Sequence, residues 1–210
     1  IHNWADGESI VPVAKEDNIL KKEWGLEGNF VFEYSGNMGL AHEFDLIFSA
    51  ASALKANKNI TFLFIGDGAQ KVLLEKKARE DSMENIVFKP YQERNMLKES
   101  LGVGDVHFIS LNPKLEGLIV PSKFYGIIAS GRPSLFIGDK NGEISNLIFH
   151  NKCGYYLEKN DSEGLVHLIN EIIKSKEEIY CFSKNARKAF DQKFAMPIAL
   201  KKWVQILNNL

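Results

Sequence analysis

Leu115-Glu-Gly-Leu-Ile-Val-Pro-Ser-Lys-Phe-Tyr-Gly-Ile-Ile-Ala-Ser-Gly-Arg-Pro-Ser-Leu-Phe-Ile-Gly138 sets a loop, a helix start, a helix, a glycine stop and a buried strand in immediate succession. Pro121 suits a first helical turn and Ser122 suits a cap. Gly131 ends the helix, and Arg132-Pro133 reads as the structural stop before the strand. Lys123 falls in the first turn, where the aligned peptide dipoles already make the helix end positive. A cation is poorly placed there unless an anion, such as a phosphate, occupies the space in front of the helix. Glu116 lies just upstream on a Gly-containing loop, able to accept hydrogen bonds from hydroxyl groups.

The same alternation extends in both directions. Upstream, the sequence predicts strands at Phe30–Tyr34, Ile60–Ile65, Ile86–Phe88 and Val106–Leu111. Between them it predicts helices at Glu43–Ala56, Gln70–Arg79 and Arg94–Ser100. The first of these carries Phe44, Ile47, Phe48, Ala51 and Leu54 at helical spacing. Downstream, Leu135–Ile137 reads as a strand, Gly154–Leu157 as an edge strand, and Asp161–Lys174, Lys176–Phe190 and Pro197–Leu207 as helices. Glu16–Trp24 reads as a short helix ending at Gly25. Strands and helices at this spacing predict an α/β fold, a Rossmann-like doubly wound parallel sheet flanked by helices, with ligands at the carboxyl ends of the strands. Residues 1–28 read as a linker leading into one domain over 29–210, without internal repeats. The chain begins with Ile1 rather than Met, and the expectation is a piece of a longer protein.

The 210 residues are 45% hydrophobic and 25% charged, as in a globular protein with a substantial core. The net charge of -1 gives no basic excess to argue for nucleic acid. No apolar run is long enough to cross a bilayer. Cys153 and Cys181 have neither metal-ligand spacing nor a disulfide-framework pattern, so both are expected as reduced thiols of a cytoplasmic protein.

The loops after the predicted strands hold the remaining candidates. Ser35-Gly-Asn-Met-Gly39 could bring backbone close to a ligand at Gly36, or be a tight turn only. The G-x-G-x-x-G fingerprint is absent, which disfavours a dinucleotide oxidoreductase. His42 could reach a phosphate or sugar, although a surface or capping role is the commoner one. Gly66-Asp-Gly68 reads as turn chemistry. Tyr91 could stack on a base beside Gln92, or simply pack. Glu143 could sit near a ligand or cap a helix starting near Ile144. There is no P-loop, no G-x-S-x-G elbow and no metal-ligand cluster. A phosphate clamp at Lys123 beside a hydroxyl-accepting Glu116 points to a nucleotide-sugar site.

Tyr34-Ser-Gly-Asn-Met-Gly39, Phe64-Ile-Gly-Asp-Gly68, Asn85-Ile-Val-Phe88, Gly104-Asp105, Glu116-Gly117, Val120-Pro-Ser-Lys123, Gly131-Arg-Pro133 and Gly142-Glu-Ile144 follow one another in an order specific as a set. In them the chain resembles the carboxyl-terminal domain of retaining glycosyltransferases of GT-B fold, family 4 type, and is similar to bacterial enzymes of capsule, exopolysaccharide and O-antigen synthesis. The resemblance implies a domain that binds a nucleotide-diphosphate sugar for glycosyl transfer. It places Gly36 at the diphosphate, with Ser122 and Lys123 holding that group, and Tyr91 and Gln92 at the base. Glu116 meets the donor sugar, and the backbone of Gly117, Leu118 and Ile119 lies along sugar and phosphates. Asn37 and His42 stand where many members carry Arg and Lys, leaving Lys123 as the main diphosphate cation. Phe124 stands where many carry a ribose-binding Glu, and Gly126 where some relatives carry one.

The resemblance also implies partners: an acceptor glycan or lipid-linked sugar, and an amino-terminal acceptor domain lying outside this chain. It implies no metal or other cofactor, and a full enzyme either in the cytoplasm or peripheral to the inner face of the plasma membrane. Two alternatives stay open on the residues alone, a sugar-nucleotide 2-epimerase of the same fold and a non-catalytic nucleotide-binding domain.

Overall fold

The computed structural model describes residues 1–158 and 161–209. Its centre is a six-stranded parallel sheet built from β1 (Phe30–Ser35), β2 (Ile60–Ile65), β3 (Ile86–Lys89), β4 (Val106–Ser110), β5 (Ser134–Ile137) and β6 (Gly154–Leu157). The strand order is β3-β2-β1-β4-β5-β6. All five pairings are parallel, with Phe32 opposite Phe62 and Glu33 opposite His107. The order reverses between β1 and β4, the place where doubly wound sheets open a crevice beyond their carboxyl ends. β2 is buried at all six positions, five of them apolar and the sixth Thr61, as expected of a strand covered on both faces. β6 is an edge strand with the predicted bounds.

Helices α1 (Ile19–Glu23), α2 (Asp45–Ala53), α3 (Lys71–Glu80), α4 (Leu97–Gly102), α5 (Lys123–Ala129), α6 (Glu143–Asn151), α7 (Ser162–Lys174), α8 (Lys176–Ala189) and α9 (Met196–Leu207) flank the sheet. One face is an aromatic core. The rings of Phe32, Phe62 and Phe108 lie 5.5–6.0 Å apart and pack towards α2 and α7. On the other face, Ile109 and Phe136 join α5, α8 and the π-helical turn Phe190–Phe194.

Some boundaries differ from expectation. α2 starts at Asp45, not Glu43, because residues 39–44 form a loop tied to β4 through Asn112 N–H on the Ala41 carbonyl. The helix expected from Arg94 opens as a 3-10 turn, Arg94–Met96, before α4. Leu210, the expected last residue of the domain, lies outside the described residues.

Residues 1–28 pack onto the domain. Ile10 and Leu20 are buried, and Ala5 bridges to Ala195. The Asn18 amide donates to the Glu99 carbonyl at 2.8 Å, and its oxygen caps α1 by accepting from Lys21 N–H. Lys21 itself is buried, its ammonium on the Val103 carbonyl and on Asp105, which also pairs with Lys15 and receives Val31 N–H. α9 behaves differently. Ala199 is its buried contact, and every described residue from Leu200 to Asn209 is exposed.

Candidate functional site

β1 delivers the chain to Gly36, whose N–H continues the ladder onto the Ile65 carbonyl at 2.9 Å. The turn then folds back, with the Tyr34 hydroxyl donating to the Asn37 carbonyl at 2.8 Å. Gly36 has φ +133° and Gly66 φ +136°, conformations that favour glycine. A Cβ on Gly66 would collide with the Gly36 carbonyl. Met38 N–H bonds the Asp67 carbonyl at 2.7 Å, and the Asp67 carboxylate receives Gly68 N–H. Gly66-Asp-Gly68 is therefore the buttress behind the Ser35–Gly39 loop, as its turn chemistry suggests.

In front of that loop lies a cavity of about 690 Å³ at the β1/β4 reversal. Gly36, Asn37, His42, Tyr91, Gln92, Ile119, Ser122 and Lys123 all line it. Among the described residues that line it there is no carboxylate. Lys123 opens α5, and its Nζ is withdrawn from water with no hydrogen-bond partner. The ammonium stands 3.6 Å from the centroid of the Tyr34 ring. Burial pushes it down from the usual 10.5 to about 7, while the ring face favours the charged form. A Cβ on Gly36 would lie 3.6 Å from the end of Lys123, an ordinary contact, so it is the positive φ that calls for glycine there.

His42 is not at the surface. Its Nδ1–H donates to the Ser110 carbonyl at 2.6 Å, and its ring meets Tyr34 edge-on. Burial first, and then the charge of Lys123, hold its pKa below the ordinary 6.5. Tyr91 is 55% exposed and lies across Gly66, presenting a free aromatic face at the cavity rim. The Gln92 amide is folded onto the Pro90 carbonyl at 3.0 Å.

Three expected site residues lie outside this cavity. Glu116 turns to α6, where its Oε1 accepts Glu143 N–H at 3.1 Å and its carboxylate lies against Gly142. It thus occupies the positive start of that helix, and Glu143 is the first helical residue rather than the cap. Gly117 and Leu118 sit in an exposed loop, where Leu118 N–H and Ile119 N–H both bond the Leu115 carbonyl at 3.0 Å. Those two donors are spent within the turn. Ser122 occupies the cap position of α5 but has helical angles and makes no side-chain capping bond. Pro121 stays outside the helix.

Other contributors were not legible beforehand. Asn3, Trp4 and Ile10, from the segment read as a linker, line the same cavity. Tyr34 is the floor under Lys123; its place one residue before the loop was the available signal. Among the described residues no group of three or more His, Cys, Asp or Glu is arranged to hold a metal ion. No helix among them is long and apolar enough to cross a membrane.

A Rossmann-like doubly wound sheet with its cavity at the carboxyl ends of the strands is consistent with one half of a GT-B fold. The family model described as Glycosyl transferases group 1 matches residues 16–189, and the chain belongs to that family. It is 32% identical over its whole length to the "Probable glycosyltransferase WbjE" of Pseudomonas aeruginosa, of which it covers 52%. Among solved structures it resembles Anabaena HepE in complex with UDP-glucose, with TM-score 0.83 and 18% identity, over 100% of this chain and 57% of that one. It also resembles the C-terminal domain of the glycosyl transferase group 1 family protein LpcC from Francisella tularensis, with TM-score 0.67 and 17% identity, over 91% of this chain and 99% of that domain. The chain thus spans about half the length of WbjE and of HepE.

Proposed function

We propose that this chain is the donor-binding half of a retaining hexosyltransferase and takes a nucleoside-diphosphate sugar in the cavity at the β1/β4 reversal. The observation that carries this reading is Lys123, an ammonium with no hydrogen-bond partner or counter-charge, facing a cavity with no carboxylate among the described residues that line it. A diphosphate between the start of α5 and Gly36 supplies the missing counter-charge. As the bond to the sugar breaks, negative charge grows on the diphosphate, and Lys123, its ammonium itself withdrawn from water, stabilises it. No metal enters the proposal, because this cation and the helix start serve the same charge.

Tyr91 offers its exposed face to the base. Glu116 lies outside the cavity with one oxygen committed to Glu143 N–H, and its other oxygen is left to meet a hydroxyl of a sugar that extends beyond the cavity. With no carboxylate among the described residues that line the cavity, a 2-epimerase is left there with His42 in place of the several carboxylates and histidines it would need. Transfer needs a second domain to carry the acceptor and to exclude water, and the extra length of the relatives supports one. Met196, Leu200, Trp203, Val204 and Leu207 recur along one face of α9 and are all at least 36% exposed, the kind of stripe a partner domain covers. The acceptor, a glycan or lipid-linked sugar, then meets the donor from that domain, in the cytoplasm or at the inner membrane face.

Calorimetric titration with uridine, guanosine and adenosine diphosphates tests the reading. Binding of one of them that Lys123→Ala abolishes is the expected result. Equal, weak binding of all three that ignores the substitution would refute it.

A further inference from the structure

At the opposite end of the sheet from the donor cavity, a second cavity of about 600 Å³ opens between α8, the Gly131-Arg132 turn and Pro12. Its charge is one-sided. Arg132, Lys184, Arg187 and Lys188 line it against one carboxylate, Asp191. These cations differ in how far they are satisfied. Arg187 is spent: Nη1 donates to the carbonyls of Ile10 and Ala129 at 2.8 and 2.7 Å, and Nε pairs with Asp191 at 3.0 Å. That contact also uses the one carboxylate in the lining.

Arg132 is only partly spent. Its Nη2 donates to the carbonyls of Val13 and Gly102, both at 2.8 Å, but its Nε–H is buried and has no partner. The carboxylates behind it do not answer that N–H. Asp105 is held by Lys15 and Lys21, and Glu33, pushed up to about 8 by burial, is in its neutral form at pH 7. Lys188 makes no ion pair or hydrogen bond among the described residues. Lys184 rests 4.4 Å from the ring of Tyr180, which is 61% exposed and forms one wall. A guanidinium with an unpartnered N–H, the free ammonium of Lys188 and the Lys184–Tyr180 pair, whose ammonium keeps N–H groups to spare, line one concave space. None of them is used by the donor site.

We infer that this cavity binds a phosphate-bearing ligand, with the anion between Arg132, Lys184 and Lys188 and the rest of the molecule against Tyr180. A guanidinium fork with flanking ammoniums matches the oxygens of a phosphate. Two sources carry the same chemistry, a soluble phosphate compound and the headgroup of an anionic lipid.

The test uses the full chain carrying Lys123→Ala, which removes the donor-site cation, and records backbone amide NMR shifts. Pyrophosphate is titrated to about 10 mM, a concentration that reveals millimolar affinity. In parallel, the chain is pelleted with vesicles of phosphatidylcholine alone or mixed with phosphatidylglycerol. Shifts centred on residues 131–132 and 180–188, weakened about tenfold or more by the charge reversal Lys184→Glu/Lys188→Glu, establish a soluble phosphate ligand. Pelleting that needs phosphatidylglycerol and is lost with the same double variant establishes the headgroup. Both residues are exposed, and an unchanged spectrum elsewhere shows that the variant is folded. Shifts confined to the donor cavity, or neither effect, would overturn the inference.

Discussion

Lys123 makes nucleotide affinity depend on pH in a direction that the structure fixes. In the free chain burial pushes its ammonium to about 7. A diphosphate in contact favours the charged form and returns it towards its ordinary 10.5. Between those two values the complex holds a proton that the free chain lacks, so binding takes up a proton and weakens as pH rises. Each unit above 7 costs about 1.4 kcal/mol, or about tenfold in Kd, once the free lysine is mostly neutral. From pH 7 to pH 9 the affinity for the diphosphate falls about fifty-fold by this linkage. In the free chain burial and the charge of Lys123 hold His42 below its ordinary 6.5. The terminal phosphate is already ionised across this pH range, with its second pKa near about 6. Calorimetry at pH 7, 8 and 9, each in two buffers of different ionisation enthalpy, reads both affinity and proton uptake. Uptake close to one proton at pH 8 and above is expected, and Lys123→Met should abolish both uptake and slope. A flat affinity without uptake would refute the reasoning. So would a slope that survives in the variant.

Three further outcomes follow from other residues. Glu116→Ala is expected to remove the partner of Glu143 N–H and lower stability by about 1 kcal/mol, read by urea unfolding. It should leave UDP affinity unchanged while reducing the extra affinity of a UDP-sugar over UDP; an equal loss for both would place Glu116 on the nucleotide instead. Gly66→Ala forces a Cβ into the Gly36 carbonyl at φ +136°, and is expected to cost about 2 kcal/mol or more and to weaken nucleotide binding with it. Glu33 is raised from 4.5 to about 8 by burial, so its contribution is complete below 4.5 and lost as pH rises through 8. Glu33→Gln should therefore gain on the wild type between pH 4.5 and 8, by at most about 1.4 kcal/mol per unit, in urea unfolding at pH 5 and pH 8; a pH-independent difference would contradict the assignment.

Periodicity carried the fold. β2 and β6 have the expected bounds because a hexamer apolar but for Thr61 and a Gly-bounded tetramer leave few alternatives. α2 was read two residues early and three late, because its ends are set by the tie between Ala41 and Asn112 and by the turn closing from Asn57 N–H to the Leu54 carbonyl. Neither tie has a local signature. Glu116 shows the same limit at the site. Its chemistry as an acceptor was legible, but α6 begins 27 residues later, and only the tertiary fold places Glu143 N–H against it. The side chain of Ser122 offered a cap that its helical backbone angles do not use. Asn3 and Trp4 looked like linker because nothing in their own sequence announces a bridge from Ala5 to Ala195.

Buried ionisable groups also occur where no ligand can reach. Glu33 and His107 are completely buried and face each other across the β1/β4 pairing, Oε1 to Nδ1 at 3.7 Å. Burial raises the one to about 8 and lowers the other to about 3, so at pH 7 both are mainly neutral. Their remaining polar atoms bond inward, Glu33 to Gly104 N–H and His107 to the Leu101 carbonyl. A perturbed group by itself therefore does not mark a site. Lys123 differs in two respects. Its unfavourable place at a helix start is visible in sequence, and its unpaired burial is visible in structure; these are separate costs, one from the dipole and one from lost hydration. A single anion in the 690 Å³ space before it would relieve both, whereas the Tyr34 ring beneath it supplies neither a hydrogen-bond acceptor nor a counter-charge. Local rules broken twice at one residue, in a way that one ligand would mend, are the ground for proposing Lys123 as a binding residue and not as a tolerated buried charge.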